Sequence, residues 1–376
     1  MNKLRKKFLE IEKEMNDVYF ERKDVVRGLL VGLLARQHVL LLGPPGTAKS
    51  EIVEDVCSRL GGSYFRWLVT RFSVPEELFG PVSLKALEQD CYKRITSSKL
   101  PEANVVFLDE VFKGSSSILN TLLTCMNERM FFNDGAPVTV PLEMLVGASN
   151  ELPEDAQELG AIWDRFLLRY VVSYIKDKRL FENLLSTKSS VTNRTTITMT
   201  ELADAQSDVG AVDTHKVISF ITAVRDKMNS LNIPVSDRRW RQLLSVIKAH
   251  AWLEGRTEAA DDDLVVLAAS LWQEPGQITQ VRQAILELVN PLNMEAQDLI
   301  DQAMEIYQDA MLVPVEKRSN AGVEANQKLV FLQKKLKGLS QQASEKGKSA
   351  DQIDEALEKV EELNRGVVMT CMGIKI

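Results

Sequence analysis

Val39-Leu40-Leu41-Leu42-Gly43-Pro44-Pro45-Gly46-Thr47-Ala48-Lys49-Ser50 is an apolar run feeding a Gly/Pro turn that ends in Lys-Ser. It reads as a buried strand, a phosphate-binding loop and the first turn of a helix, following the pattern G-x-x-x-x-G-K-[ST] with one departure. Small residues from Gly43 to Thr47 let backbone N–H groups turn inward on phosphate oxygens, and the following helix aims its N-terminus at them. Lys49 then reaches the β- and γ-phosphates, and the Ser50 hydroxyl is placed to hold Mg²⁺. The departure is Ala48, which stands where a second glycine is expected. Alanine is still small but resists positive φ; with ordinary helical angles at the helix start its methyl group would cost little and the cradle would survive. A turn alone has no need of Lys-Ser in register, so the expected ligand is a nucleoside triphosphate.

Working outward, Leu4, Phe8, Ile11 and Met15 recur at helical spacing, and Val25, Val26, Leu29, Leu30, Leu33 and Leu34 form a second, more apolar helix before the Val39 strand. Further strands are predicted at Tyr64–Val69, Val105–Leu108, Leu145–Ser149 and Leu167–Val172, with a helix over Ser116–Glu128. Strands alternating with helices predict a mostly parallel sheet between helices, an α/β core spanning residues 1–185. Two β-hairpin insertions are predicted: Val82–Leu87 turning at Glu88-Gln89-Asp90 into Cys91–Ile95, and Met130–Phe132 turning at Asn133-Asp134-Gly135 into Val138–Val140.

Residues 186–213, opening on a Thr-rich run, read as a connector. Residues 214–290 read as an all-helical lid containing Val217–Met228, Arg238–Leu253 and Asp261–Trp272. A C-terminal helical extension, 291–376, carries Leu329, Leu332, Leu336 and Leu339 on one stripe and Ile353, Leu357, Val360 and Leu363 on another, split by Ser340–Ala350. The simplest burial pairs these stripes with each other. On that reading the hairpin is an adaptor to a partner, and a chain cut at about Val315 stays soluble and active but loses its native partner.

The 376 residues are 45% hydrophobic and 26% charged, with a formal net charge of −7. That balance fits an ordinary globular protein and argues against an obligate nucleic-acid binder, which carries a basic footprint. Cys57, Cys91, Cys125 and Cys371 are scattered, with no C-x-x-C pair, which speaks against zinc or a disulfide framework. No apolar run reaches the ~20 residues a bilayer span requires, and the charged start has no signal-peptide core. A cytoplasmic protein is expected.

Asn104-Val105-Val106-Phe107-Leu108-Asp109-Glu110 is an apolar strand ending in two carboxylates. Downstream of a phosphate loop, Asp109 suits support of Mg²⁺, and Glu110 suits polarisation of an attacking water. Asn150, ending the strand Met144–Ser149, would orient the same water at the C-terminal edge of a parallel sheet.

These elements, with Ile118-Leu119-Asn120-Thr121-Leu122-Leu123 through Asn127-Glu128-Arg129, Ala148 to Pro153, Trp163-Asp164-Arg165-Phe166 and Val235-Ser236-Asp237-Arg238-Arg239-Trp240, resemble an AAA+ ATPase of the MoxR family, in particular its RavA-like branch. The resemblance covers about residues 15–290. It implies ATP and Mg²⁺ as cofactors, Asn150 as sensor 1, Arg165 as the arginine finger given to a neighbouring subunit, and Arg238 as the sensor 2 arginine. Arg169 and Arg129 are rivals for the finger, and Arg239 for sensor 2. It further implies a homo-oligomeric ring, most simply a hexamer, acting on a protein substrate with a von Willebrand factor A-domain partner. Asp17-Val18-Tyr19 is expected near the adenine. Phe131 and Phe132 are expected either to grip a substrate in a pore or to pack a sheet. The clade includes DNA motors with similar hairpins, against which the acidic balance argues. A nucleotide-gated scaffold is the other alternative.

Overall fold

The computed structural model describes residues 3–152, 156–186, 194–289, 291–313, 315–345 and 350–371. The chain divides into two compact units, Met1–Ile218 with Ile233–Gly276, and Ser219–Asn232 with Gln277–Ile376. Residues 214–290 therefore contribute to both.

The strands of the first unit are β1 His38–Leu42, β2 Tyr64–Leu68, β3 Val105–Asp109, β4 Met130–Asn133, β5 Ala136–Thr139, β6 Met144–Ser149 and β7 Phe166–Val171. Five of them form one sheet in the order β2-β3-β6-β1-β7, with every neighbouring pair parallel. Because β1 has a partner on each side and helices on its faces, all five of its residues are buried, which is why the run carries no polar residue after His38. The edge strand β2 instead alternates, with Phe65 inside and Arg66 outside. The helix Lys23–Ala35 is buried nearly all round, and the amphipathic helix Lys3–Asn16 sends Phe8, Ile11 and Met15 inward.

Register aligns the strand ends that matter. Leu42 pairs with Ser149, and Leu108 with Gly147. Gly43, the Asp109-Glu110 pair and Asn150 thus leave the sheet along one edge.

The hairpin β4–β5 forms as predicted. Asn133 pairs with Ala136, and the two residues between them, Asp134 at φ 56° and Gly135 at φ 73°, make a turn with both φ values positive. The first insertion does not form a hairpin. Ser83 Oγ accepts from the Ala86 N–H and caps a short helix, Leu84–Leu87, leaving a single antiparallel bridge between Val82 and Arg94. The two insertions are clipped together. Asn133 accepts the Arg94 N–H at 2.7 Å and donates to the Arg94 carbonyl at 3.1 Å, while Asp134 accepts the Tyr92 N–H at 2.9 Å. Phe131 is buried and stacks on Phe79, whereas Phe132 is exposed.

The expected connector, 186–213, also needs correction. Residues 187–193 lie outside the described residues, but Met199–Gly210 is a helix. Thr198 and Glu201 cap it reciprocally, and Leu202, Ala205 and Val209 are buried on it.

In the second unit the two C-terminal stripes do meet, and a third helix shares their core. Val315–Glu345 and Asp351–Cys371 pack with Pro291–Leu312, so that Leu329, Leu332, Leu336, Ile353 and Val360 share a core with Leu292, Ala296, Leu299 and Ala303. Lys227 and Glu287 form an ion pair at 2.8 Å within the same unit.

Candidate functional site

The loop leaving β1 is shaped by glycine at two points and by strain at a third. A Cβ on Gly43 would stand 2.0 Å from the Val172 carbonyl, so only glycine fits there. Gly46 sits at φ 76°. Ala48 does not take helical angles: at φ 64° and ψ 19° it is left-handed, a conformation that glycine adopts without a Cβ penalty. The loop tolerates a methyl group at a conformational cost on the order of 1 kcal/mol. The helix Lys49–Ser58 begins immediately after it, with Ser50 half-buried in its first turn.

Lys49 is buried, and its ammonium donates to the carbonyls of Gly43 at 2.5 Å and Pro44 at 2.8 Å and to Asn150 Oδ1 at 3.2 Å. Burial lowers its pKa from the ordinary lysine value, and the nearby charges of Asp109 and Glu110 oppose that shift. Lys49, Asn150 and the two carboxylates therefore converge, as the strand register requires. Asp109 Oδ1 accepts the Glu110 N–H at 3.1 Å. The Glu110 side chain is buried, and Lys113 Nζ lies 3.2 Å from its Oε2.

Beside the loop lies a cavity of about 570 Å³ walled by Tyr19, Phe20, Arg22, Ala48, Tyr174 and Phe181 among others. Tyr19 donates to the Glu51 carbonyl at 3.2 Å and Tyr174 to the Pro45 carbonyl at 3.3 Å, so both rings are tied to the loop and its helix. Burial, with Asp55 and Glu51 nearby, pushes the Tyr19 phenol up to about 12. Buried Arg22 donates to the Ser173 carbonyl at 2.6 Å and to the Thr47 carbonyl at 3.4 Å, bracing the loop against the end of β7. Of Asp17-Val18-Tyr19, Val18 and Tyr19 line this cavity and Asp17 does not. Phe20, Arg22, Tyr174 and Phe181 carry no local signal in the sequence, because the wall is assembled from segments about 150 residues apart.

The arginines separate by their partners. Arg169 is fully buried between the rings of Trp163 and Trp272, at 4.6 and 5.6 Å, and donates to the carbonyls of Phe166 and Trp272. Arg129 lies at the opposite edge of the sheet, where it donates to the Arg36 carbonyl at 2.8 Å and sits 2.9 Å from His38 Nε2. Arg165 instead ends the helix Ala156–Arg165 with Nε and Nη1 buried and, among the described residues, lacking hydrogen-bond partners; Asp164 stands 3.6 Å away as a counter-charge. Arg239 is consumed by four carbonyls, those of Asp164, Phe166, Leu167 and Ser270. Its neighbour Arg238 is half-exposed and, among the described residues, is paired with the Asp164 carboxylate.

A five-stranded parallel sheet with a Lys-Ser phosphate loop after β1, two carboxylates at the end of β3, one strand beyond the neighbouring β6, and a helical lid defines an AAA+ nucleotide-binding fold. The chain belongs to the MoxR family of AAA+ ATPases: the family described as the MoxR domain in the MoxR-vWA-beta-propeller ternary systems matches residues 6–209. The AAA lid domain family matches residues 216–285. The chain is 34% identical over 371 residues to the uncharacterized protein MJ0079 of Methanocaldococcus jannaschii, covering 97% of each. It is 31% identical over 170 residues to the chaperone MoxR1 of Mycobacterium tuberculosis, covering 43% of each. Among solved structures, that of a candidate ATPase from Cytophaga hutchinsonii superposes with a TM-score of 0.61 at 20% identity, over 76% of this chain and 95% of that one. No helix among the described residues is long and apolar enough to cross a membrane.

Proposed function

We propose that the chain is the ATP-hydrolysing subunit of a MoxR-type ring motor, of the RavA-like branch, that remodels or matures a protein partner. The observation that carries this reading is the convergence of Lys49 and Asn150 with Asp109 and Glu110 at one sheet edge. The loop Gly43, Pro44, Pro45, Gly46, Thr47, Ala48 and Lys49 binds the phosphates, and the aromatic cavity takes the base. Ser50 and Asp109 supply a hydroxyl and a carboxylate oxygen, the hard donors that suit Mg²⁺. That ion retains waters and needs no all-protein cage. Bound Mg²⁺ would neutralise charge on the β- and γ-phosphates. Glu110 takes the proton of the attacking water, and Asn150 orients that water.

Arg165, with two unpartnered donors, serves the nucleotide of the next subunit, and Arg238 links the lid, residues 214–290, to its own. A ring, most simply a hexamer in the cytoplasm, follows from a finger acting in trans. The family description supports a von Willebrand factor A-domain partner. The test separates binding from hydrolysis: Lys49→Ala weakens ATP binding, whereas Glu110→Gln keeps binding and loses turnover. Normal steady-state turnover in Glu110→Gln removes that carboxylate from the chemistry.

A further inference from the structure

Glu110 is met by a cation from its own turn. The residue sits in left-handed backbone at φ 54° and ψ 41° directly after β3, a conformation that costs a non-glycine residue on the order of 1 kcal/mol and persists where the surroundings impose it. The bend sends Val111–Lys113 into one tight turn, closed by the Lys113 N–H on the Glu110 carbonyl at 2.9 Å. The Lys113 side chain then folds back so that Nζ stands 3.2 Å from Glu110 Oε2. Among the described residues it is the cation in ion-pair contact with this carboxylate, since the ammonium of Lys49 is committed to Gly43, Pro44 and Asn150. The Glu110 side chain is 10% exposed and that of Lys113 44%. One partner is thus enclosed by the protein, and the other reaches it from the solvent side.

From this geometry we infer that Lys113 is a positioning residue for hydrolysis. By holding Oε2 it fixes the rotation of the carboxylate and leaves Oε1 as the oxygen that receives the water's proton. In the step served, the water oxygen bonds to the γ-phosphorus as the bond to the β,γ-bridging oxygen breaks, its electron pair leaving on ADP. The proton passes to Glu110 Oε1 and on to the released phosphate, and Lys113 keeps its own protons throughout. A carboxylate base contributes roughly 10²–10⁴ in rate when correctly aimed, and a misplaced one loses part of that factor.

The inference rests on the ATP-hydrolysis reading, and the test uses the full chain with ATP as the probe. Lys113→Met, which keeps the length and removes the charge, is expected to lower kcat about tenfold while the ATP dissociation constant stays within about twofold and the melting temperature is unchanged. Lys113→Arg is expected to restore most of the rate. In a Glu110→Gln background, Lys113→Met should cost nothing further. If Glu110→Gln itself turns over normally, the hydrolysis reading fails and this inference with it. If Glu110→Gln is inactive but Lys113→Met turns over normally, or loses affinity and rate together, or Lys113→Arg gives no rescue, the positioning role alone is overturned.

Discussion

Arg238 and Arg239 are adjacent in sequence, yet the structure gives them opposite fates, and replacing each with alanine separates a structural arginine from a working one. Arg239 is 1% exposed. Its Nε donates to the Ser270 carbonyl at 2.8 Å, Nη1 to Asp164 at 3.1 Å, and Nη2 to Phe166 at 3.1 Å and Leu167 at 2.8 Å. Burial, with Arg238 nearby and Asp164 opposing, lowers its pKa to about 10, a sign that the guanidinium is held against a real desolvation penalty. Arg239→Ala recovers that penalty but withdraws the guanidinium from four buried carbonyls, of which that of Phe166 keeps Arg169, and leaves a cavity, so the net loss is expected at about 3–5 kcal/mol. Against a total stability of about 5–15 kcal/mol, that is a large share. Arg238→Ala removes one half-exposed ion pair and is expected to cost at most about 1 kcal/mol, with its effect falling on ATP turnover instead. Tryptophan fluorescence during urea unfolding is a clean probe, because Trp67, Trp163, Trp240, Trp252 and Trp272, all five in the chain, lie in the first unit. A loss below about 1 kcal/mol for Arg239→Ala, or a larger loss for Arg238→Ala, would refute the reasoning.

Mixing Arg165→Ala subunits with Glu110→Gln subunits should recover some ATPase activity at interfaces where an intact arginine meets an intact glutamate; silence in a confirmed mixed assembly removes Arg165 as the finger. His38 is fully buried, with Nδ1 accepting the Leu145 N–H, Nε2 facing the Met126 carbonyl and Arg129 at 2.9 Å, and burial lowers its pKa from 6.5 to about 3. The folded state therefore binds fewer protons than the unfolded state between those values. The stability present above pH 6.5 is lost on acidification at up to about 1.4 kcal/mol per pH unit. His38→Gln should flatten that part of the curve measured by urea titration, and an unchanged slope would show that other groups control it. A chain ending before Val315 is expected to aggregate, since it bares Leu292, Leu299, Ile300 and Ala303. A soluble truncation with intact turnover restores the simpler two-helix pairing.

What the sequence discloses depends on how locally a feature is determined. The central strands were legible because β1, β3 and β6 are buried on both faces and so read as continuous apolar runs, and the hairpin because Asp134-Gly135 demands a turn with positive φ. The first insertion misled because Leu84 and Leu87, three apart, satisfy a helical turn as readily as a strand, and the Ser83 cap decides between them. In Pro291–Leu312 small residues hide the stripe: Ala296, Ala303 and Ala310 are buried but carry little hydrophobic signal. The helix after Thr198 was masked by the Thr-rich run before it, although Thr198 with Glu201 is a capping pair that can be read locally. The left-handed angles of Ala48 and the aromatic wall of the cavity are set by the tertiary structure, and no local pattern announces either.

The clip between the two insertions governs how they respond to force. Asn133 grips both main-chain groups of Arg94, and Asp134 grips Tyr92 beside it, so the tip of the hairpin is tethered by bonds acting side by side. Arg94 is in turn moored to Glu76 at 3.0 Å and to the Gly80 carbonyl at 2.8 Å, where the insertion departs from the helix Pro75–Phe79. A pull on the tip is divided among these bonds and handed to that helix with no free hinge between. A lone two-stranded ribbon would bend under the same tension; this one behaves as a braced strut.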